Sequence, residues 1–167
     1  MLKPQDIVVL LKLVLLKDAP WTIASLAEGL RMSASEIHAA LSRAENAGLY
    51  LPNKRKARRA ALQEFLVHGI RYAFAPERLG MTRGVPTAHS APGLASELVP
   101  PELPLVWPDV NGTVRGEGIE PLFRTVPQAA LADERLYRLL ALVDALRVGG
   151  ARERRVTAEL LDRELRA

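Results

Sequence analysis

Nine prolines stand between positions 76 and 127, at 76, 86, 92, 100, 101, 104, 108, 121 and 127. Proline removes a backbone donor and collides with the preceding helical turn, so no helix of normal length fits this stretch. Glycines at 80, 84, 93, 112, 116 and 118 share it. Yet it also holds Leu94, Leu98, Val99, Leu103, Leu105, Val106, Trp107, Leu122, Phe123 and Val126, which is too apolar for a solvated linker. The expectation is a set of extended segments laid over a helical body or over a partner subunit. Helices are confined to the two ends of the chain.

In the N-terminal end, Thr22 to Leu49 reads as two short helices joined by a tight turn. Thr22 is placed to cap the first, and Trp21 and Leu26 are spaced as a hydrophobic staple. Ser33 and Glu36 form the S-x-x-E capping box of the second, with Met32 and Ile37 as its staple. Gly48 suits the left-handed residue that closes it. Ile23, Leu26, Ala27 and Leu30 share one face, and Ile37, Ala40, Leu41 and Ala44 share another. Helices this short do not stand alone, so these stripes have to meet each other and a third element. The outward face of the second helix is then Ser35, His38, Ala39, Ser42, Arg43 and Asn46. Short side chains allow close approach to a duplex, and their donors can read base edges in a major groove.

The run from Thr22 through Ala44-Glu45-Asn46-Ala47-Gly48-Leu49 resembles the winged helix-turn-helix of MarR-like transcription regulators. It departs from that pattern in one place: its glycine is at position 29, and the turn carries Arg31 and Met32. The resemblance implies a homodimeric regulator that binds double-stranded DNA in a sequence-specific way, with the helix Ser33 to Ala47 in the major groove. It also implies that the first helix and the C-terminal helices pair two copies. Ser35, His38, Ser42, Arg43 and Asn46 are then expected nearest the bases. Thr22, Ser33 and the amides at these helix starts are expected near phosphates.

Five cations follow at once: Lys54, Arg55, Lys56, Arg58 and Arg59. Phosphate contact beside the recognition helix is one reading, with an affinity that falls as salt rises. The other is a solvated loop and helix start, although cations at a helix N-terminus oppose its dipole. The formal charge of +4 suits a polyanionic partner.

The remaining elements follow from periodicity. Pro4 to Lys17 is a helix with almost no polar face, placed either at the centre of its own domain or against a partner chain. Ala60 to His68 is another helix, ended by Gly69. Ile70 to Ala75 alternates and reads as a strand, with a return strand in Gly80 to Val85, which would displace the wing downstream. The loop 82–90 is either a binding loop or the wing tip and its exit. His89 is expected at the surface or hydrogen-bonded, as neither ligand nor base. Gln128 to Arg147 and Ala151 to Arg166 are amphipathic helices. The charged start of the second, Arg152 to Arg155, is either ion-paired or a second phosphate patch.

The fold class expected is mainly α (α+β): a winged helix-turn-helix with a small β-hairpin, a Pro-rich extended segment and two C-terminal helices. The division is 1–90, 91–127 and 128–167, the last serving dimerisation. No cysteine is present, and the three histidines are scattered, so disulfides, thiolate metal sites and metal cofactors are not expected. Ile7 to Leu16 is too short to span a bilayer, and a cytoplasmic setting is expected. No nucleophile elbow, phosphate loop or H-E-x-x-H occurs, so no enzyme activity is expected. The second functional reading is an antitoxin-like or adaptor protein whose Pro-rich and C-terminal segments hold a partner protein. Aromatic residues are scarce, which argues against stacking on single-stranded RNA.

Overall fold

The first helix, α1 (Pro4–Leu16), is apolar on every side and is buried on nearly every side. Ile7, Val8, Val9, Leu10 and Leu11 are each at most 1% exposed. In the computed structural model, which describes residues 1–99 and 101–167, α1 packs against α2 (Ile23–Leu30), α3 (Ala34–Asn46) and the distant α7 (Glu134–Val148). The apolar faces of the first helix are therefore used within the chain. At its last turn Val14, Leu15 and Leu16 stay partly exposed.

A second central helix accounts for this. Within α7, Ala141 to Leu146 are all buried, and α8 (Ala151–Arg166) and α4 (Arg59–His68) cover it from outside. The short α6 (Val126–Ala132) leads into it. One hydrophobic cluster runs from Ile7 to Leu165. Among the described residues there are eight α-helices, a two-strand hairpin and a three-strand mixed sheet, a mostly helical α+β arrangement. None of these helices is long and apolar enough to cross a membrane.

The two-strand hairpin lies upstream of where one was expected. β1 (Tyr50–Leu51) pairs antiparallel with β2 (Lys56–Ala57), directly after α3. Lys54 and Arg55 lie in its turn, and Arg55 takes a left-handed conformation with φ 53°. Strands of two residues are too short to register as an alternation, so the pattern is silent there. Ile70 to Ala73, expected as a strand, is instead a short helix, α5, with Ile70 buried beneath it. Four alternating residues fit one helical turn as well as a strand, and the neighbouring α7 takes Ile70.

The Pro- and Gly-rich stretch forms the sheet. β3 (Arg78–Pro86) runs antiparallel to both β4 (Leu105–Pro108) and β5 (Val114–Ile119), and β4 and β5 run parallel to each other. Each strand thus pairs with both others, and the sheet closes on itself. Closure this tight leaves no room inside for side chains. A Cβ on Gly84 would sit 2.0 Å from the Trp107 carbonyl oxygen, and one on Gly116 would sit 2.3 Å from that of Pro104. Glycine at these points is what allows the backbones to meet.

A buried carboxylate ties the sheet to α7. Asp144 Oδ2 accepts hydrogen bonds from Trp107 Nε1 at 2.6 Å and Thr87 Oγ1 at 2.7 Å. Its Oδ1 accepts from Arg147 Nη1 at 2.8 Å. Arg147 also donates to the backbone oxygens of Phe74 and Glu120. Every strong polar group in this cluster therefore has a partner, as burial requires.

Candidate nucleic-acid interface

The two helices of the motif begin as their sequence specifies. Thr22 Oγ1 accepts from the Ser25 amide at 3.0 Å, and Ser25 Oγ accepts from the Thr22 amide at 2.9 Å. Ser33 Oγ accepts from the Glu36 amide at 3.1 Å, and Glu36 Oε2 accepts from the Ser33 amide at 2.8 Å. The Ser33 amide and then the Arg124 guanidinium hold the Glu36 carboxyl below its ordinary pKa. Between the helices Arg31 closes α2 in the left-handed region, φ 57° and ψ 37°, where such turns usually carry glycine. The turn geometry is thus kept without glycine, and Arg31 is left exposed at its tip.

The outward face of α3 is formed by Ser35, His38, Ser42, Glu45 and Asn46, all exposed, with Ile37, Ala40, Leu41 and Ala44 buried opposite. Among the described residues, His38, Ser42 and Asn46 make no side-chain hydrogen bond within the chain, while the Ser35 hydroxyl lies 3.1 Å from that of Ser33. These positions fall on one stripe of the helix because they recur at three- and four-residue spacing.

Arg43, counted with that face from the sequence, is turned the other way. Its Nε and Nη2 donate to both oxygens of Asp6, at 2.9 Å and 2.8 Å for the shorter pair. Asp6 is 0% exposed. The hydrogen bonds to Asp6 raise the Arg43 pKa further. This forked pair locks α3 onto the start of α1, and its direction is set by a carboxylate thirty-seven positions away. Nothing local to α3 announces it.

The basic run is also largely engaged. The Arg55 guanidinium lies 3.9 Å over the Trp21 ring and donates to the Trp21 carbonyl oxygen at 2.8 Å. Lys56 pairs with Asp18, whose pKa is lowered by the hydrogen bond from that lysine. Arg58 donates to the Gly48 carbonyl oxygen at the end of α3, and Arg59 donates to the Leu165 carbonyl oxygen near the end of α8. The Lys54 side chain alone of the five has no hydrogen-bond or ion-pair partner among the described residues. These contacts staple the hairpin to the α1–α2 connection and the start of α4 to the end of α8. All five side chains remain exposed, so each still presents charge to solvent.

Trp21 and Asp18 were not among the expected interface residues, yet they position Arg55 and Lys56. A signal for Trp21 was present in its N-terminal staple position; for Asp18 there was none. Comparison with protein-family models, with curated proteins and with solved structures gives no match.

Proposed function

We propose that this chain is a sequence-specific regulator that binds double-stranded DNA, with α3 in the major groove and the β1–β2 hairpin as its wing. The observation that carries this reading is the α3 face. His38, Ser42 and Asn46 are exposed, short to medium in length, and free of internal side-chain hydrogen bonds, on a helix held by its Ser33–Glu36 capping box and the Asp6–Arg43 fork. These three, with Ser35, read base edges. Thr22 and Ser33 sit at helix starts, where backbone amides suit phosphate. Lys54, Arg55 and Lys56 flank the groove from the wing. Arg43 positions the helix and does not read sequence. The regulator acts in the cytoplasm as a homodimer, its two copies paired through their first and C-terminal helices. Their α3 helices then lie about 34 Å apart, one turn of duplex.

The test is selection of duplexes from a random pool, followed by fluorescence anisotropy across a salt series. Specific binding is expected, with affinity falling linearly on logarithmic axes as salt rises. His38→Ala should alter the preferred sequence and cost about 1–3 kcal/mol of discrimination. Replacing Lys54, Arg55 and Lys56 together should flatten the salt slope without changing preference. Failure to bind any duplex in dilute buffer would overturn the reading.

A second reading, an antitoxin-like or adaptor protein, has one specific observation in its favour. Leu79 and Met81 on β3 and Leu103 before β4 are exposed apolar side chains. A homodimer stable by mass measurement favours the regulator; an aggregating chain that becomes soluble only with a protein partner favours the adaptor.

A further inference from the structure

A cavity of about 460 Å³ lies where the end of α4 and the short α5 meet the first turns of α8. Nothing in the DNA-binding reading uses it. Its walls carry His68 of α4, Arg71 and Tyr72 of α5, and Arg154, Arg155 and Glu159 of α8. The remaining lining is apolar.

The charged start of α8, read from the sequence as either ion-paired or a phosphate patch, is not ion-paired. Arg43, Arg78, Arg124, Arg138, Arg147 and Arg166 each have a carboxylate partner. Among the described residues Arg71, Arg154 and Arg155 have none. Arg154 Nη1 donates to the Gly149 carbonyl oxygen at 2.8 Å, a neutral acceptor that holds the guanidinium but leaves its charge. Three arginines thus face one carboxylate, Glu159, and two positive charges go uncompensated before His68 is counted.

The other acids of this region are placed elsewhere. Glu153 lines a different cavity, together with Arg78 and Glu117. Glu64 and Asp162 line the next groove along α8, where Asp162 already accepts from Gln63 and Arg166.

This clustering does nothing for the fold. Cations in the first turns of a helix oppose its dipole. Gly150 caps α8 without a side chain, so the first amides of that helix add their positive end beside Ala151 at the same wall. An anion set among the arginines would relieve both the mutual repulsion and the unfavourable dipole.

The residue types narrow the anion. Guanidinium groups grip oxyanions through paired N–H donors. Two uncompensated charges match a phosphate monoester, which carries about −1.5 to −2 at neutral pH, better than a single carboxylate. Tyr72 adds a second requirement. It is 77% exposed at the cavity wall, and the Arg71 guanidinium lies 5.1 Å from its ring centre, so charge and ring stand side by side. An exposed ring of this kind is a stacking surface for another flat ring.

We propose that this cavity binds a small phosphate monoester that carries a flat ring, such as a nucleoside monophosphate, with Arg71, Arg154 and Arg155 on the phosphate and Tyr72 against the ring.

The test titrates the full chain with adenosine 5′-monophosphate, adenosine, ribose 5-phosphate or a single-stranded oligonucleotide. Binding is read by calorimetry, and the arginine Nε resonances are followed by NMR on nitrogen-15-labelled protein. The monophosphate should bind saturably and shift the Nε signals of Arg71, Arg154 and Arg155. Removing the anion (adenosine) or one guanidinium (Arg155→Gln) should weaken binding by about tenfold or more, since charge-assisted hydrogen bonds are lost in each case. Tyr72→Ala should weaken the monophosphate by roughly fivefold or more and leave ribose 5-phosphate unchanged. Arg155 and Tyr72 are both exposed, so neither replacement opens the core. No saturable shift of the three arginines, adenosine or ribose 5-phosphate binding as tightly as the monophosphate, or unchanged affinity in Arg155→Gln would overturn the proposal. So would an oligonucleotide that holds the same arginines more tightly than the monophosphate, which would put a nucleic-acid strand there instead.

Discussion

The α2–α3 unit and the closed sheet are held together over very different distances along the chain. In the first, the end groups of each helix are satisfied three residues away, Thr22 by Ser25 and Ser33 by Glu36. In the second, Asp144 accepts from Thr87 and Trp107 across fifty-seven and thirty-seven positions. The difference teaches where polar groups are left free. Short-range capping satisfies a helix and leaves its outer face for a partner. The sheet is tied to α7 by two side chains, Thr87 just past β3 and Trp107 on β4, while most of β3 faces outward.

The sharpest way to break the comparison is at Asp144. Asp144→Ala leaves the buried Arg147 without its counter-charge and the Thr87 and Trp107 donors without an acceptor, and a loss of about 4 kcal/mol in urea unfolding is expected. A loss below 1 kcal/mol would mean that the sheet is held without α7. Arg43→Ala strands the buried Asp6 in the same way, but the Lys3 amide still donates to it and the vacated Arg43 site is partly exposed, so about 3 kcal/mol is expected. The double replacement Asp6→Leu with Arg43→Leu should restore most of that loss; equal damage in single and double variants would contradict a pair whose cost lies in the stranded charge.

A pH test separates the two regions further. Tyr137 donates to the Pro86 carbonyl oxygen at 2.5 Å, and burial pushes its pKa up to about 12. The unfolded chain loses this proton near pH 10, so the neutral phenol favours the fold fully below that pH. The contribution fades between pH 10 and 12, by on the order of 2 kcal/mol. Tyr137→Phe should lack this component when melts are compared across the window, and parallel curves would rule it out. The smallest effect is expected at the motif itself: Ser33→Ala should cost about 1 kcal/mol, read from the same denaturation curves. A loss as large as that of Asp144→Ala would erase the contrast between local and distant restraint.

Much of the α2–α3 unit was legible because capping and helical periodicity operate within four residues. Thr22, Ser33, Glu36 and the buried stripe of Ile37, Ala40, Leu41 and Ala44 all sit where the pattern placed them. The α1 segment was legible as buried, but not against what. The interface was less so. Arg43 was placed on the outward face by the sequence, and a carboxylate on α1 turned it inward instead. The cations 54–59 were visible as charge, whereas their engagement with Trp21, Asp18, Gly48 and Leu165 depends on how the hairpin folds back. The hairpin was misplaced because its strands are shorter than any period can reveal.

By itself the amino-acid order determined that residues 22–49 form two capped helices, that the first helix is covered on most sides, and that the stretch from 76 to 127 holds no long helix. Only the tertiary structure decided that this stretch closes into a three-strand sheet, that Arg43 faces inward, and that His89 lies buried. Caps and periods depend on neighbours a few bonds apart. Closure, ion pairing and burial depend on which distant segments arrive at the same place, and a glycine such as Gly84 shows its purpose only once Trp107 is against it.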